Sequence, residues 1–170
     1  MRTRIIAALG AAALVVTVGL VGSPAHAAKT KTLTFNVDLV SAGTTLTTLP
    51  GDITYGWNDL RGPTRWGKSA AAVRFLGSVD YVKGTGPFGG FVTVTRGDGV
   101  SIAFAVTGWA TSPSKKKGTA HAKFRGTFTI IGGTGPYAGA TGTGTMEGRR
   151  KAALGSPVEL TFTATVQRKG

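Results

Sequence analysis

Few residues in this 170-residue chain are equipped for chemistry. There is no cysteine, which excludes thiol nucleophiles, thiolate metal sites and disulfides. The histidines are two, His26 and His121, too few for an imidazole metal cluster or for a catalytic set needing more than one imidazole. Glu147 and His121 are the candidates for acid–base work, and both read more readily as surface residues. Gly84-Thr-Gly86-Pro-Phe-Gly89 matches the dinucleotide fingerprint G-x-G-x-x-G in letters. That motif has to open a helix inside a βαβ unit, whereas here Pro87 sits within it and both flanks have strand character, so it reads as a turn. The stretch from Tyr55 to Trp66 mixes aromatic and polar residues in an expected loop. Its Trp57 and Trp66 either stack on a sugar, close over a cavity mouth, or pack against the body of the fold. Lys115-Lys116-Lys117 and Arg149-Arg150-Lys151 are like-charged loop clusters, either solvated or facing an anionic partner.

The elements that position these residues read as strands throughout. In 31–40, Leu33, Phe35, Val37 and Leu39 alternate with Thr32, Thr34, Asn36 and Asp38, the period of a half-buried strand. Similar runs occupy 52–57, 71–82, 91–96, 100–109, 120–131, 140–147 and 158–167. Gly97-Asp98-Gly99 supplies a hairpin turn between two of them. About eight strands with short turns and no crossover helices point to a closed barrel or a sandwich, and closure removes exposed strand edges. Alternation then sends Val73, Phe75, Gly77, Val79 and Tyr81 to one face. Ala122, Phe124, Gly126, Phe128 and Ile130 follow on the equivalent strand, with Ile102, Phe104, Val106, Leu160 and Phe162 on later ones. Arg74, Asp80, Lys123 and Arg125 fall on the opposite face, and no charged residue is expected to point inward.

An internal repeat is the strongest pattern. The string from Phe75 to Gly90, FLGSVDYVKGTGPFGG, recurs from Phe124 to Gly139 as FRGTFTIIGGTGPYAG, at a constant offset of 49. Gly84, Gly86, Pro87 and Gly90 thereby align with Gly133, Gly135, Pro136 and Gly139. Ile102–Val106 answers Leu160–Ala164 once an insertion around 149–157 is allowed. A strand, glycine-rich turn, strand, strand unit is expected twice, over about 71–109 and 120–167. Phe88 or Tyr137 is expected to plug the barrel end.

These residues carry a family resemblance. Phe124-x-Gly126, a short apolar strand and Ile131-Gly-Gly-Thr-Gly-Pro-Tyr-Ala-Gly-Ala-Thr-Gly142 resemble the string that joins two strands in the allene oxide cyclase-like barrels, which include the dirigent proteins; the likeness covers chiefly 70–167. It implies an all-β fold, a single eight-stranded antiparallel calycin-like barrel with an apolar cavity, working without a cofactor. It also implies that trimers can form. Members steer the cyclisation or coupling of a small hydrophobic molecule, or have no known activity. The family's catalytic acids and arginines do not map onto this chain residue by residue.

The first residues carry Arg2 and Arg4 and no acid, followed by an apolar run from Ile5 to Val21, Ser23-Pro24, and Ala25-His26-Ala27. A positive start, an apolar middle and a small-x-small end make residues 1–27 a secretory signal peptide, cleaved near Ala27-Ala28. The competing reading is a membrane anchor, for which the run falls short of the ~20 residues a helical span needs. Residues 28–170 then form one domain, secreted and without a membrane span. The formal charge is +13; such a surface attracts polyanions or serves solubility. For an exported protein an anionic wall polymer or acidic lipid fits better than nucleic acid.

The expectation is therefore a secreted barrel that binds a small apolar molecule in a pocket lined by Phe75, Tyr81, Phe104, Phe124, Phe128 and Phe162, with Trp57 or Trp66 near its mouth. No cofactor and no metal is called for. The alternatives are a non-catalytic envelope protein that docks on anionic polymer through its basic loops, and an exported barrel with a protein partner. Barrels of about eight strands either fill with side chains or hold one small ligand, so six large aromatics could also close the space.

Overall fold

Inward-facing residues at every second position can all be buried together only if the sheet curls until its edges meet. In the computed structural model, which describes residues 29–112, 121–152 and 156–168, the edges do meet. The eight strands are β1 (Lys29–Leu49), β2 (Ile53–Trp66), β3 (Ser69–Val82), β4 (Gly86–Arg96), β5 (Ser101–Thr111), β6 (Ala122–Gly133), β7 (Thr141–Arg150) and β8 (Val158–Arg168). They pair in sequence order, each antiparallel to the next, and β8 returns to β1 through Lys29↔Arg168 to Leu39↔Val158. Among the described residues the only helix is one 3₁₀ turn, Gly135–Tyr137, and no helix is long and apolar enough to cross a membrane. The segment read as a signal peptide and Lys115–Lys117 lie outside the described residues.

An up-and-down barrel has two distinct ends. The β1–β2 and β3–β4 connections lie at one, with the strand ends Thr111, Ala122, Arg150 and Val158, and it is here called the mouth. The β2–β3, β4–β5 and β6–β7 connections lie at the other with the start of β1 and the end of β8, here called the base. Beyond Leu39, β1 leaves β8 but continues along β2 to Leu49, with a bulge between Ser41 and Gly43. The mouth wall is therefore taller on that side.

Three segments differ from the sequence expectation. Tyr55–Trp66 is strand, not loop: β2 pairs with β3 without a break from Ile53↔Val82 to Trp66↔Ser69. Its Gly56 and Gly62 resemble loop punctuation, but a Cβ at either would overlap a β1 carbonyl, of Thr45 and Asp38 respectively. These glycines permit close strand approach, a role glycine also serves within sheets. Gly86–Gly90 likewise belongs to β4, paired with β5 from Gly86↔Ala110 onward. Finally, β7 runs on through Arg149 and Arg150, so alternation applies to both.

The two glycine strings have different conformations. Gly84-Thr85 closes the β3–β4 hairpin at the mouth, whereas Gly133–Gly139 forms the end of β6 and the 3₁₀ turn at the base. Gly86 has φ 157°, while its aligned partner Gly135 is left-handed at φ 57°. Gly90 and Gly139 differ in the same sense, at φ 148° and 66°. The proposed units contain three strands each, an odd number in an antiparallel barrel. The second unit consequently runs in the opposite direction to the first.

The base half of the lumen is solid. Trp66 sits edge-on to Phe35 with ring centroids 5.4 Å apart, and Tyr137 covers Trp66 at 4.9 Å. Toward the mouth from them, Phe104 meets Phe35, Phe128 and Phe162 at 6.4, 4.6 and 6.4 Å. Arg168 lies over Tyr137, its guanidinium carbon 5.5 Å from the ring centroid, a cation–π arrangement. Glycines on neighbouring strands make room for the rings: Phe128 faces Gly144 and Phe88 faces Gly108 in register, and a Cβ at either glycine would overlap the ring.

Candidate functional site

The mouth half of the lumen is hollow. A cavity of about 330 Å³ opens there, at the small end of the ~300–1,000 Å³ typical of ligand sites. Phe75, Phe88, Phe124, Met146 and Leu160 supply its lower wall, where Phe75–Phe88 and Phe88–Phe124 contacts of 6.5 and 6.0 Å link the rings. Higher up, Leu46, Leu60, Val79, Tyr81 and Val158 continue the apolar lining, with Ser41, Thr44, Thr54, Asn58, Ser156 and Arg150 as the polar groups.

The expected pocket residues divide by height. Phe75, Tyr81 and Phe124 line the cavity. Phe104, Phe128 and Phe162 point inward as expected but lie lower and belong to the solid half. The reason is axial: Phe124 and Phe128 share the inner face of β6, yet four residues of strand separate them by about 13 Å. Neither tryptophan stands at the mouth. Trp57 has odd parity on β2 with Tyr55 and points outward, 49% exposed, while Trp66 closes the base. Tyr137 is the aromatic that plugs an end; Phe88 lines the cavity. Sequence alternation on β4 from 91 onward stopped just short of Phe88.

Arg150 corrects the expectation of an uncharged interior. Arg149 and Arg150 are neighbours on β7 and face opposite sides of the wall. Arg149 donates from Nε to Glu159 on the outside at 2.7 Å, where Lys151 also pairs with Glu159. Arg150 lines the cavity. Its Nε is buried and has no hydrogen-bond partner among the described residues. Across the lumen on β3, burial pushes the Tyr81 phenol up to about 12, partly offset by the nearby positive charge of Arg150. Tyr81 is thus a neutral phenol over the whole physiological range. Burial in turn lowers the Arg150 pKa from its usual value, but guanidinium starts so high that it stays charged.

Among the described residues, the charged residue buried as a whole is Asp59, 7% exposed. It lies on the outer face between Arg61 and Arg74, accepting from Arg61 Nη2 at 2.6 Å and from Arg74 Nη2 at 2.9 Å. Those bonds hold its carboxyl well below the usual carboxylate range. Glu147 and His121 are exposed, as their residue types suggested. The described residues contain no group of three or more His, Asp or Glu placed to hold a metal ion, and the cavity lining includes no carboxylate or imidazole. What the cavity offers is shape, aromatic surface, hydroxyls, one amide and one cation. Such a site can bind and orient a molecule.

No protein-family model matches the chain, and no curated protein matches it in sequence. Its shape does have solved counterparts. The pterocarpan synthase dirigent protein GePTS1 superposes with a TM-score of 0.51 over 84% of this chain and 92% of its own, at 12% identity. A second pterocarpan synthase dirigent protein, PsPTS1, gives 0.46 over 84% and 97%, at 15% identity. The first of these establishes the fold: this is a dirigent-like eight-stranded barrel.

Proposed function

We propose that the protein is a secreted dirigent-like barrel that takes one small, mostly apolar molecule into its mouth half and holds it in the conformer that cyclises or couples. The observation that carries this reading is the 330 Å³ cavity above a solid aromatic floor. A fully packed lumen would leave no place for a ligand, and a lumen open at both ends would not fix one. The solid base gives the site a rigid reference surface, which is what orienting a reactant requires. With no carboxylate or imidazole in the lining, steering by shape fits the site better than proton transfer. The structural counterpart is a pterocarpan synthase dirigent protein, and the glycine-rich string of 131–142 resembles the allene oxide cyclase-like barrels. Both belong with control over how a small molecule closes or joins. The Arg149–Lys151 cluster is a weaker basis for function, since Arg149 and Lys151 are already paired with Glu159.

The test couples binding to outcome. A small phenol is oxidised to its radical and allowed to couple with and without the protein, and the products are resolved on a chiral column. The reading predicts an enantiomeric excess that rises with protein concentration and disappears in Val79→Trp, which fills the cavity. Racemic product across a panel of phenols that the protein demonstrably binds would reduce the function to carriage alone.

A further inference from the structure

The hollow half of the barrel contains a charge that no carboxylate among the described residues neutralises. All seven Asp and Glu residues are among the described residues. Asp59 is taken by Arg61 and Arg74, Asp98 by Arg96, and Glu159 by Arg149 and Lys151. None of the seven pairs with Arg150, and none lines the cavity. Arg150 is half-buried, its Nε without a partner among the described residues, on a wall otherwise made of apolar groups, hydroxyls and the Asn58 amide. A buried N–H of a guanidinium without an acceptor is costly. The same group becomes a strong, directional anchor once a planar oxyanion meets it, because a carboxylate accepts two parallel N–H bonds from its fork.

Resting on the reading of the cavity as a ligand site, we propose that its ligand is an amphiphile with an oxyanion at one end, a carboxylate in the first instance, and that Arg150 selects it. The apolar body lies against Phe75, Phe88 and Phe124, and the anionic end rises toward the mouth, where Arg150 and the neutral Tyr81 phenol both line the wall. Position supports this polarity. Arg150 is the last residue of β7 at the mouth end, whereas the rings form the lower wall. The acidic end therefore meets its partner near water, and the apolar end goes deepest. Neighbouring Arg149 points outward from the same stretch of strand, so it provides an internal control for general surface charge.

The experiment uses the neutral fluorophore N-phenylnaphthylamine as a reporter of the occupied cavity, displaced at neutral pH by phenylbutyrate or by its isosteric amide, phenylbutyramide. Wild-type protein should favour the acid over the amide by about tenfold or more, the size expected of a charge-assisted pair. In Arg150→Met that ratio should fall to about one, and in Arg149→Met it should persist. Arg150→Lys, which retains charge without the fork, should keep part of the preference, so a loss specific to the Met variant's folding is recognisable. Equal displacement by acid and amide in the wild type overturns the proposal while leaving the cavity reading intact. A preference that survives Arg150→Met, or vanishes in Arg149→Met, assigns it to surface charge and also overturns the proposal. Failure of the wild type to bind the fluorophore at all would instead remove the ligand site itself.

Discussion

Thr85 and Thr134, the central residues of the two Gly-Thr-Gly-Pro strings, secure opposite ends of one strand. The Thr85 hydroxyl accepts from the Ser112 backbone N–H at 3.0 Å, just past the end of β5, and the Thr134 hydroxyl accepts from the Ser101 N–H at 2.8 Å, where β5 begins. Thr134 does more, since its hydroxyl also donates to the Gly99 carbonyl at 3.1 Å and its backbone N–H donates to Ser101 O at 2.9 Å. The strings thus share a task even though their backbones differ.

Thr85→Val and Thr134→Val retain β-branching and remove only the hydroxyl. Each should cost about 1 kcal/mol for the lost hydrogen bond, with Thr134→Val the more damaging because its hydroxyl serves two partners. Urea melts of the two variants and the parent check this; midpoints equal to the parent's would show that water replaces both hydroxyls without loss.

The solid half should be sensitive to truncation. Phe104 is fully buried and touches three other rings, so Phe104→Ala should destabilise by about 3–5 kcal/mol. Phe124→Ala removes a ring that already borders empty space and should cost less. Equilibrium unfolding of the pair measures the difference, and an equal cost would argue that the lumen is packed uniformly from end to end.

Much of this was legible in the sequence, and what was missed has a common cause. Period-two alternation says which side of a wall a residue faces, and on that count Phe75, Phe104, Phe124, Phe128 and Phe162 were placed inside. It carries no information about height along the barrel axis, so the six expected pocket aromatics could not be divided between floor and filler. Tyr55–Trp66 looked like loop because Gly56, Gly62 and Pro63 punctuate it, although the glycines mark close strand approach. The inward turn of Arg150 is hidden in the sequence for a related reason. Three consecutive cations read as a solvated loop, but one more step of strand turns the middle one inward.

Asp59 should shape the acid limb of stability. Hydrogen bonds from Arg61 and Arg74 depress its carboxyl in the folded state, while the unfolded chain titrates near the ordinary value of about 4. The unfolded state therefore binds the proton first as pH falls. This contribution is complete above about pH 4 and is lost progressively below it. Asp59→Asn should lower the melting temperature at pH 7 and flatten its decline below pH 4. Parallel wild-type and variant curves through that range would contradict the assignment.

Export is expected from the sequence alone. The protein recovered from culture medium should begin at Ala28, because Ala25 and Ala27 occupy the small-residue positions that precede cleavage. Intact-mass measurement decides it; a full-length chain retained with the membrane would set aside the secreted assignment.

No tryptophan lines the cavity in the mouth half of the lumen: Trp57 and Trp109 are exposed on the outer surface and Trp66 closes the base. Intrinsic emission is consequently a poor reporter, and an extrinsic probe is needed. The most direct measurement is a titration of N-phenylnaphthylamine into wild-type protein and into Val79→Trp, with both shown by circular dichroism to be equally folded. The outer surface is the same in the two proteins and only the cavity differs. Saturable one-to-one binding to the wild type that is abolished in Val79→Trp is the predicted result. Equal binding by both proteins would locate the probe on the exterior, and no binding by either would contradict a ligand site in this barrel.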